Sequence, residues 1–228
     1  MILIIGDTHG ARDNFDNVAL SYPNLTKDDY VIVTGDFGFV WGVNEYHVKD
    51  DDKWLDFLEE KPWTTLFVDG NHENHMRLRE YPIKKWNGGK VHEIRKSVLH
   101  LMRGEVFEIK GKTFFCFGGA ESTDKQYRLP YHSWWPQEIP SQEEYNNAIS
   151  NLKLINYHPN YVITHAMPDI YVRELYGSQY VGGDKTAYML NDFLLQCVYD
   201  KWYCGHYHLD VKMRDNFQIC YKQIYEIK

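Results

Sequence analysis

Five short polar clusters stand at the ends of apolar runs: Gly6-Asp7-Thr8-His9-Gly10, Gly35-Asp36, Gly70-Asn71-His72-Glu73, Thr164-His165 and Gly205-His206-Tyr207-His208. Leaving Glu73 aside, they bring two carboxylates, one amide and five imidazoles to places where strands should stop. This is an oxygen and nitrogen donor set suited to two divalent cations, and it points to metal-assisted hydrolysis. Taken singly, each cluster has a plainer reading. Asp7 or Thr8 could cap a following helix, and Asp36 or the Gly70-Asn71 pair could be turn residues. Taken jointly, five of the eleven histidines fall at strand ends. Asp7 and His9 alternate as the chain leaves a strand, so both can turn to one point, and His206 and His208 can do the same in an extended segment. Asp36 is the natural bridging carboxylate, one oxygen to each of two cations about 3.5–4 Å apart.

The elements that must position these residues are legible as short apolar runs. Residues 2–5, 30–34, 65–69, 161–164 and 201–204 are β-branched or aromatic stretches that read as buried strands. Between the first three lie helical spacings: Phe15, Val18 and Ala19 within 12–20, and Trp54, Leu55 and Leu58 within 51–60. Strand, helix, strand is the pattern of a mainly parallel sheet. Residues 106–109 and 113–117 flank Lys110-Gly111-Lys112 and predict a hairpin. The tail repeats that pattern with Asp210 to Met213, a turn at 214–216, Phe217 to Cys220 and a last run to Ile227. Hairpins beside strand-helix-strand units imply a mixed sheet or two stacked sheets.

Residues 120–140 are the least regular part, dense in aromatics and prolines, and are expected to form an ordered functional loop. Ser141-x-x-Glu144 then predicts a capping box that opens a helix to about Leu154. Gly118 and Gly119, followed by Lys125 and Arg128, could offer backbone N–H groups and two cations to a phosphate, or form a glycine-rich turn with surface charges. Trp134 and Trp135 could stack a base or cover the core, with the core favoured.

The 228 residues, 43% of them hydrophobic and 16% aromatic, predict one domain over 1–228 with a sizeable core. The apolar start ends at Gly6 without a basic region, so no signal peptide is expected, and no stretch reaches the ~20 apolar residues of a membrane span. Cys116, Cys197, Cys204 and Cys220 lack C-x-x-C spacing and are expected as free thiols in a reducing cytoplasm. A net charge of −7 argues against a long duplex nucleic-acid footprint. Two bound cations would still reverse the field in one cleft.

In order and spacing, the five clusters resemble the calcineurin-like metallophosphoesterase superfamily, over residues 6 to 208. The resemblance implies an α/β fold, a four-layered α/β-β/α sandwich with two mixed β-sheets and the ions at the strand C-termini. It implies Mn²⁺ first, with Fe or Zn²⁺ as alternatives. By the same resemblance Asp7, His9 and His208 hold one ion, Asp36 bridges, and Asn71, His165 and His206 hold the other. His72 would lie over the phosphate as the catalytic residue, stabilising developing charge and protonating the leaving oxygen. A metal-bridging hydroxide would attack phosphorus in a phosphomonoester or phosphodiester, small or nucleotide-like. A Ser/Thr protein phosphatase, or a catalytically silent scaffold of the same fold, are the alternatives.

One position departs from the pattern. Many relatives read G-D-x-x-D, the last Asp pairing with the catalytic histidine, but this chain reads Gly35-Asp36-Phe37-Gly38-Phe39. Glu73, or a residue of the run Asp50-Asp51-Asp52, is expected to replace that carboxylate, the run being otherwise a solvated helix start.

Overall fold

A computed structural model describes residues 1–177 and 184–227. The five apolar runs are strands β1 (Ile2–Ile5), β2 (Tyr30–Val33) and β3 (Thr64–Phe67), and further on β9 (Tyr161–Thr164) and β10 (Lys201–Cys204). Between them lie β4 (Ile83–Trp86), β5 (Gly89–Arg95), β6 (Val98–Leu101), β7 (Glu105–Ile109) and β8 (Lys112–Phe117), and the tail adds β11 (Val211–Lys212), β12 (Phe217–Ile219) and β13 (Tyr225–Ile227). They form a seven-stranded sheet ordered β13-β1-β2-β3-β6-β5-β4 and a six-stranded sheet ordered β11-β12-β10-β9-β8-β7. Both sheets are parallel at the centre and antiparallel at the edges.

Register explains why distant motifs can meet. Ile5 lies beside Val33 and Val33 beside Phe67, so β1, β2 and β3 end at one level. In the other sheet Phe117 lies beside Thr164, and Ile163 beside Tyr203. The polar residues that follow each strand therefore emerge along common edges, as ligands do at the carboxyl ends of parallel strands.

Alternation of side chains along each strand sorts the apolar residues into three cores. Ile4, Ile32 and Leu66 face Phe114, Ile163 and Tyr203 between the sheets. Leu3, Val31 and Val33 face outward onto Phe15 and Val18 of α1 (Asp13–Ser21) and Leu55 and Leu58 of α2 (Glu45–Glu59). Phe115, Val162 and Trp202 face the other way, onto Ala148 and Leu152 of α4 (Gln142–Leu154), past the short α3 (His75–Leu78) in chain order. Tyr171 of α5 (Asp169–Tyr176) and Phe193 of α6 (Lys185–Gln196) complete that layer. Helix, sheet, sheet, helix is the expected four-layered sandwich.

The Ser141–Glu144 capping box closes in both directions and α4 runs to Leu154. Helix α2 begins at Glu45 rather than 51, because the Asn44 side chain caps it by accepting from the His47 N–H. The Asp50–Asp52 run is thus helix interior, which corrects its reading as a helix start. Helix α1 has no side-chain cap, so neither Asp7 nor Thr8 is spent there. All four cysteines are free thiols. No helix among the described residues is long and apolar enough to cross a membrane.

Candidate metal centre

The loops after β1, β2, β3, β9 and β10 converge on Asp36. On one side, Asp7 Oδ2 lies 3.1 Å from His208 Nε2, which is 3.0 Å from His9 Nε2. His9 Nε2 is in turn 3.7 Å from Asp36 Oδ2. On the other side, Asp36 Oδ1 lies 3.2 Å from His165 Nε2, itself 3.3 Å from Asn71 Oδ1 and 3.2 Å from His206 Nδ1. The Asp36 carboxylate therefore has one oxygen toward each group. Asp7, His9 and His208 form one cluster able to hold a metal ion, and Asp36, His165 and His206 form another. His72 joins His9 and Asp36 in a third.

Hydrogen-bond logic shows what the second cluster lacks. His165 Nδ1 faces the Thr34 carbonyl at 2.9 Å, and a carbonyl only accepts, so Nδ1 carries a proton. The Nε2 lone pair then points at Asp36 Oδ1 and Asn71 Oδ1, two more acceptors. A cation satisfies such an arrangement, and so does an extra proton. Burial alone would lower the His165 pKa, but Asp36 and Asp7 push it up to about 10. Burial would raise Asp36, yet His165, with His72 and His206, holds its carboxyl well below the usual range. Burial and the neighbouring His165 push His206 down to about 3. In the ion-free chain the extra proton on His165 stands where a cation's charge is called for, and ligation would release it.

The backbone is bent to make this convergence. His9, Asp36, His206 and His208 have φ of 46°, 47°, 68° and 52°, in the left-handed region that costs a non-glycine residue about 1–3 kcal/mol. Cross-loop hydrogen bonds hold them there: His9 N donates to Asp36 O at 2.8 Å, and His206 N to Asp7 Oδ1 at 2.9 Å. The motif glycines admit the carboxylates, since a Cβ on Gly70 would collide with Asp36 and one on Gly205 with Asp7.

His72 does not meet the carboxylate expected for it. Glu73 is fully buried and accepts from Phe37 N at 2.6 Å, Gly38 N at 3.2 Å and Gly70 N, so it ties the loop after β2 to the loop after β3. Phe39 packs on Phe15 and Phe37 in the core. Asp51 reaches the site only indirectly. It accepts from Trp41 N at 2.8 Å and Gly42 N at 2.7 Å while paired with Arg77, and so fixes the backbone of Trp41. The Trp41 ring stacks on His72 at 5.7 Å and 24°, backed edge-on by Trp135 at 5.1 Å. Arg128 Nη2 lies 3.0 Å from His72 Nε2, and since Arg only donates, Nε2 accepts. Burial, then Arg128 and His9, lower the His72 pKa against the pull of Asp36.

Of the two cations expected at a phosphate, the structure brings only Arg128 to the site, held by Asp124 at 2.8 Å and Ser133 O at 3.2 Å. Lys125 is turned away. Its Nζ donates to Glu121 at 3.0 Å, lies 3.1 Å from Glu138 and sits over the Trp134 ring at 5.1 Å. The physical reason is Glu138, a wholly buried carboxylate that needs a counter-charge. In the glycine-rich stretch Gly119 N is spent on Asp69 O at 2.8 Å and Ser122 N on Glu138 at 2.8 Å, so neither of these N–H groups is offered to a phosphate. Trp135 is core and Trp134 half-buried. Sequence reasoning did not single out Trp41, Ser122, Glu138 or Tyr221, which stacks on His208 at 4.7 Å. Trp41 alone carried a signal, as a large aromatic five residues after Asp36.

A four-layered sandwich with carboxylates, an amide and imidazoles gathered at its strand ends defines a metallophosphoesterase-type protein. The model of the calcineurin-like phosphoesterase family matches residues 1–210, and the chain belongs to that family. No curated protein matches the sequence.

Proposed function

We propose that this chain is a dinuclear-metal phosphoesterase hydrolysing a phosphomonoester or phosphodiester of a small or nucleotide-like molecule. The observation that carries the proposal is the Asp36 carboxylate, with Oδ1 3.2 Å from His165 and Oδ2 3.7 Å from His9, one oxygen toward each ligand group. Asp7, His9 and His208 would hold one ion and Asn71, His165 and His206 the other, with Asp36 available to both. When bound, the two ions polarise phosphoryl oxygens and acidify a water. The oxygen and nitrogen donors suit Mn²⁺, with Fe and Zn²⁺ also accommodated.

His72 groups with His9 and Asp36, and Arg128 lies 3.0 Å from it. Arg128 donates to a phosphoryl oxygen as charge builds. His72, stacked on Trp41, is freed at Nε2 when Arg128 turns to the phosphate; it takes up a proton there and passes it to the leaving oxygen. An overall charge of −7 favours a small anion over a long polyanion as substrate. Four free thiols suit a reducing compartment such as the cytoplasm.

The test is turnover of metal-stripped protein reloaded with Mn²⁺ on p-nitrophenyl phosphate, bis-p-nitrophenyl phosphate and a panel of nucleotide esters. Hydrolysis should require the metal and fall about 10²–10⁴-fold in His72→Ala. A protein that binds two ions yet hydrolyses none of these would overturn the enzyme reading in favour of a scaffold.

A further inference from the structure

The irregular stretch between β8 and α4 contains a directional hydrogen-bond relay that ends on Asn71. Glu138 is wholly buried and accepts twice from Ser122, from its backbone N at 2.8 Å and from its hydroxyl at 2.8 Å, with Lys125 Nζ at 3.1 Å as counter-charge. An ionised carboxylate only accepts, so the single hydroxyl proton of Ser122 is committed to Glu138. The Ser122 oxygen keeps only lone pairs. It uses one to accept from Asn71 Nδ2 at 3.2 Å. With its NH₂ end taken, the Asn71 amide turns Oδ1 toward His165 Nε2, at 3.3 Å.

The relay matters because the two ends of an amide are nearly the same size. Packing around Asn71, buried though it is, cannot choose between them. The wrong end would set two N–H donors against a cation and remove one ligand. Buried groups one step behind a ligand commonly fix its orientation in this way.

We propose that Ser122 and Glu138 are positioning residues that force the oxygen of Asn71, rather than its nitrogen, toward the second cation. The inference rests on the reading of Asn71 as a ligand. It gives residues 120–140 a role in assembling the centre.

Asn71→Asp supplies the test, because a carboxylate has no wrong end. Metal-stripped proteins are titrated with Mn²⁺, and bound ions per chain and the two dissociation constants are measured. In the native background, Ser122→Ala should weaken the second ion roughly 10- to 100-fold and leave the first within about twofold. Glu138→Gln should do the same with the hydroxyl retained, since an amide at that position can donate and so releases the Ser122 proton to turn toward Asn71. Ser122→Thr should restore native binding. In the Asn71→Asp background, Ser122→Ala should change the second constant less than about twofold. An equal loss in both backgrounds, or an equal loss of both ions, would overturn the relay and leave only a loop anchor. A native chain binding two ions with Ser122→Ala matching it would overturn this inference alone. A native chain that binds a single ion would overturn the dinuclear reading with it.

Discussion

Two clusters of imidazole around buried carboxylates occur in this chain, and among the described residues only one forms groups that could hold a metal ion. The first gathers Asp7, Asp36, His9, His165, His206 and His208. The second gathers Asp69, His75, His92 and His100 around Arg103. In the second, both oxygens of Asp69 meet donors. Asp69 receives Arg103 through Nε at 2.9 Å and through Nη2, and His100 Nε2 at 3.1 Å. His92 and His100 stack at 5.2 Å and 4°, their Nδ1 atoms 2.9 Å apart, so that His92 donates to the nitrogen His100 leaves free. His75 Nε2 lies 3.1 Å from Gly70 O, and Arg103 reaches on to Gln137 O, Glu138 O and Glu144. In the first cluster, among the described residues, Asp7 and Asp36 form ion pairs with histidines only. The difference is who supplies the cation. Arg103 closes one cluster from within, and the other is left with facing lone pairs.

Substitution should therefore separate function from stability. Asp36→Ala, by removing the carboxylate shared between both groups, should cost at least about 10³-fold in turnover and abolish binding of both ions. Its metal-free melting temperature should move by only about 2–4 °C, the equivalent of ~1 kcal/mol in a chain of this size. Arg103→Ala should behave in the opposite way. Stranding Asp69 in the interior should cost about 3–5 kcal/mol of stability, while the folded fraction still binds two ions. Melting curves and metal counts on the two variants check both expectations. If Arg103→Ala lost the ions at an unchanged melting temperature, the second cluster would be part of the metal site and the distinction would collapse.

Much of the first cluster was readable because its information is local. Each candidate ligand lies within four residues of the end of a short apolar strand, and the order Gly6-Asp7, Gly35-Asp36, Gly70-Asn71 and Gly205-His206 repeats one device, a glycine that leaves room for a close approach: the Cys220–Tyr221 backbone at Gly6, the His165 ring at Gly35, and the Asp36 and Asp7 carboxylates at Gly70 and Gly205. What was not readable depends on pairings that sequence distance hides. His92 and His100 meet only because β5 and β6 pair in that register. Lys125 looked available because the buried Glu138 that claims it lies thirteen residues on. Among the described residues, neither Glu73 nor Asp51 takes the place of the Asp in G-D-x-x-D. It is answered by an indole stacked on His72 and a guanidinium at its Nε2, with Asp51 acting through the Trp41 backbone. The hairpin of β4 and β5 was missed although Asn87 and Gly88, both at positive φ, form the Asn-Gly turn that favours it.

The smallest expected effect sharpens the comparison through pH. Burial, reinforced by His100 and opposed by Asp69, pushes the His92 pKa down to about 3 from an ordinary 6.5, and burial does the same to His75. Between those values the unfolded chain takes up a proton at His92 that the folded chain refuses. Stability from this source is therefore complete above about pH 6.5 and is lost as pH falls toward 3, by up to about 1.4 kcal/mol per unit for each such histidine. His92→Gln keeps a donor for His100 but binds no proton. At pH 7.5 it should cost about 1 kcal/mol through poorer packing and hydrogen bonding. At pH 5 that deficit should shrink or reverse, because the native chain alone carries the proton penalty. The readout is urea unfolding at both pH values in the presence of chelator, which keeps metal release from the first cluster out of the comparison. Parallel losses at pH 7.5 and pH 5 would mean that His92 is not held neutral by the fold, and the second cluster would then lose its standing as the closed, proton-excluding counterpart of the metal centre.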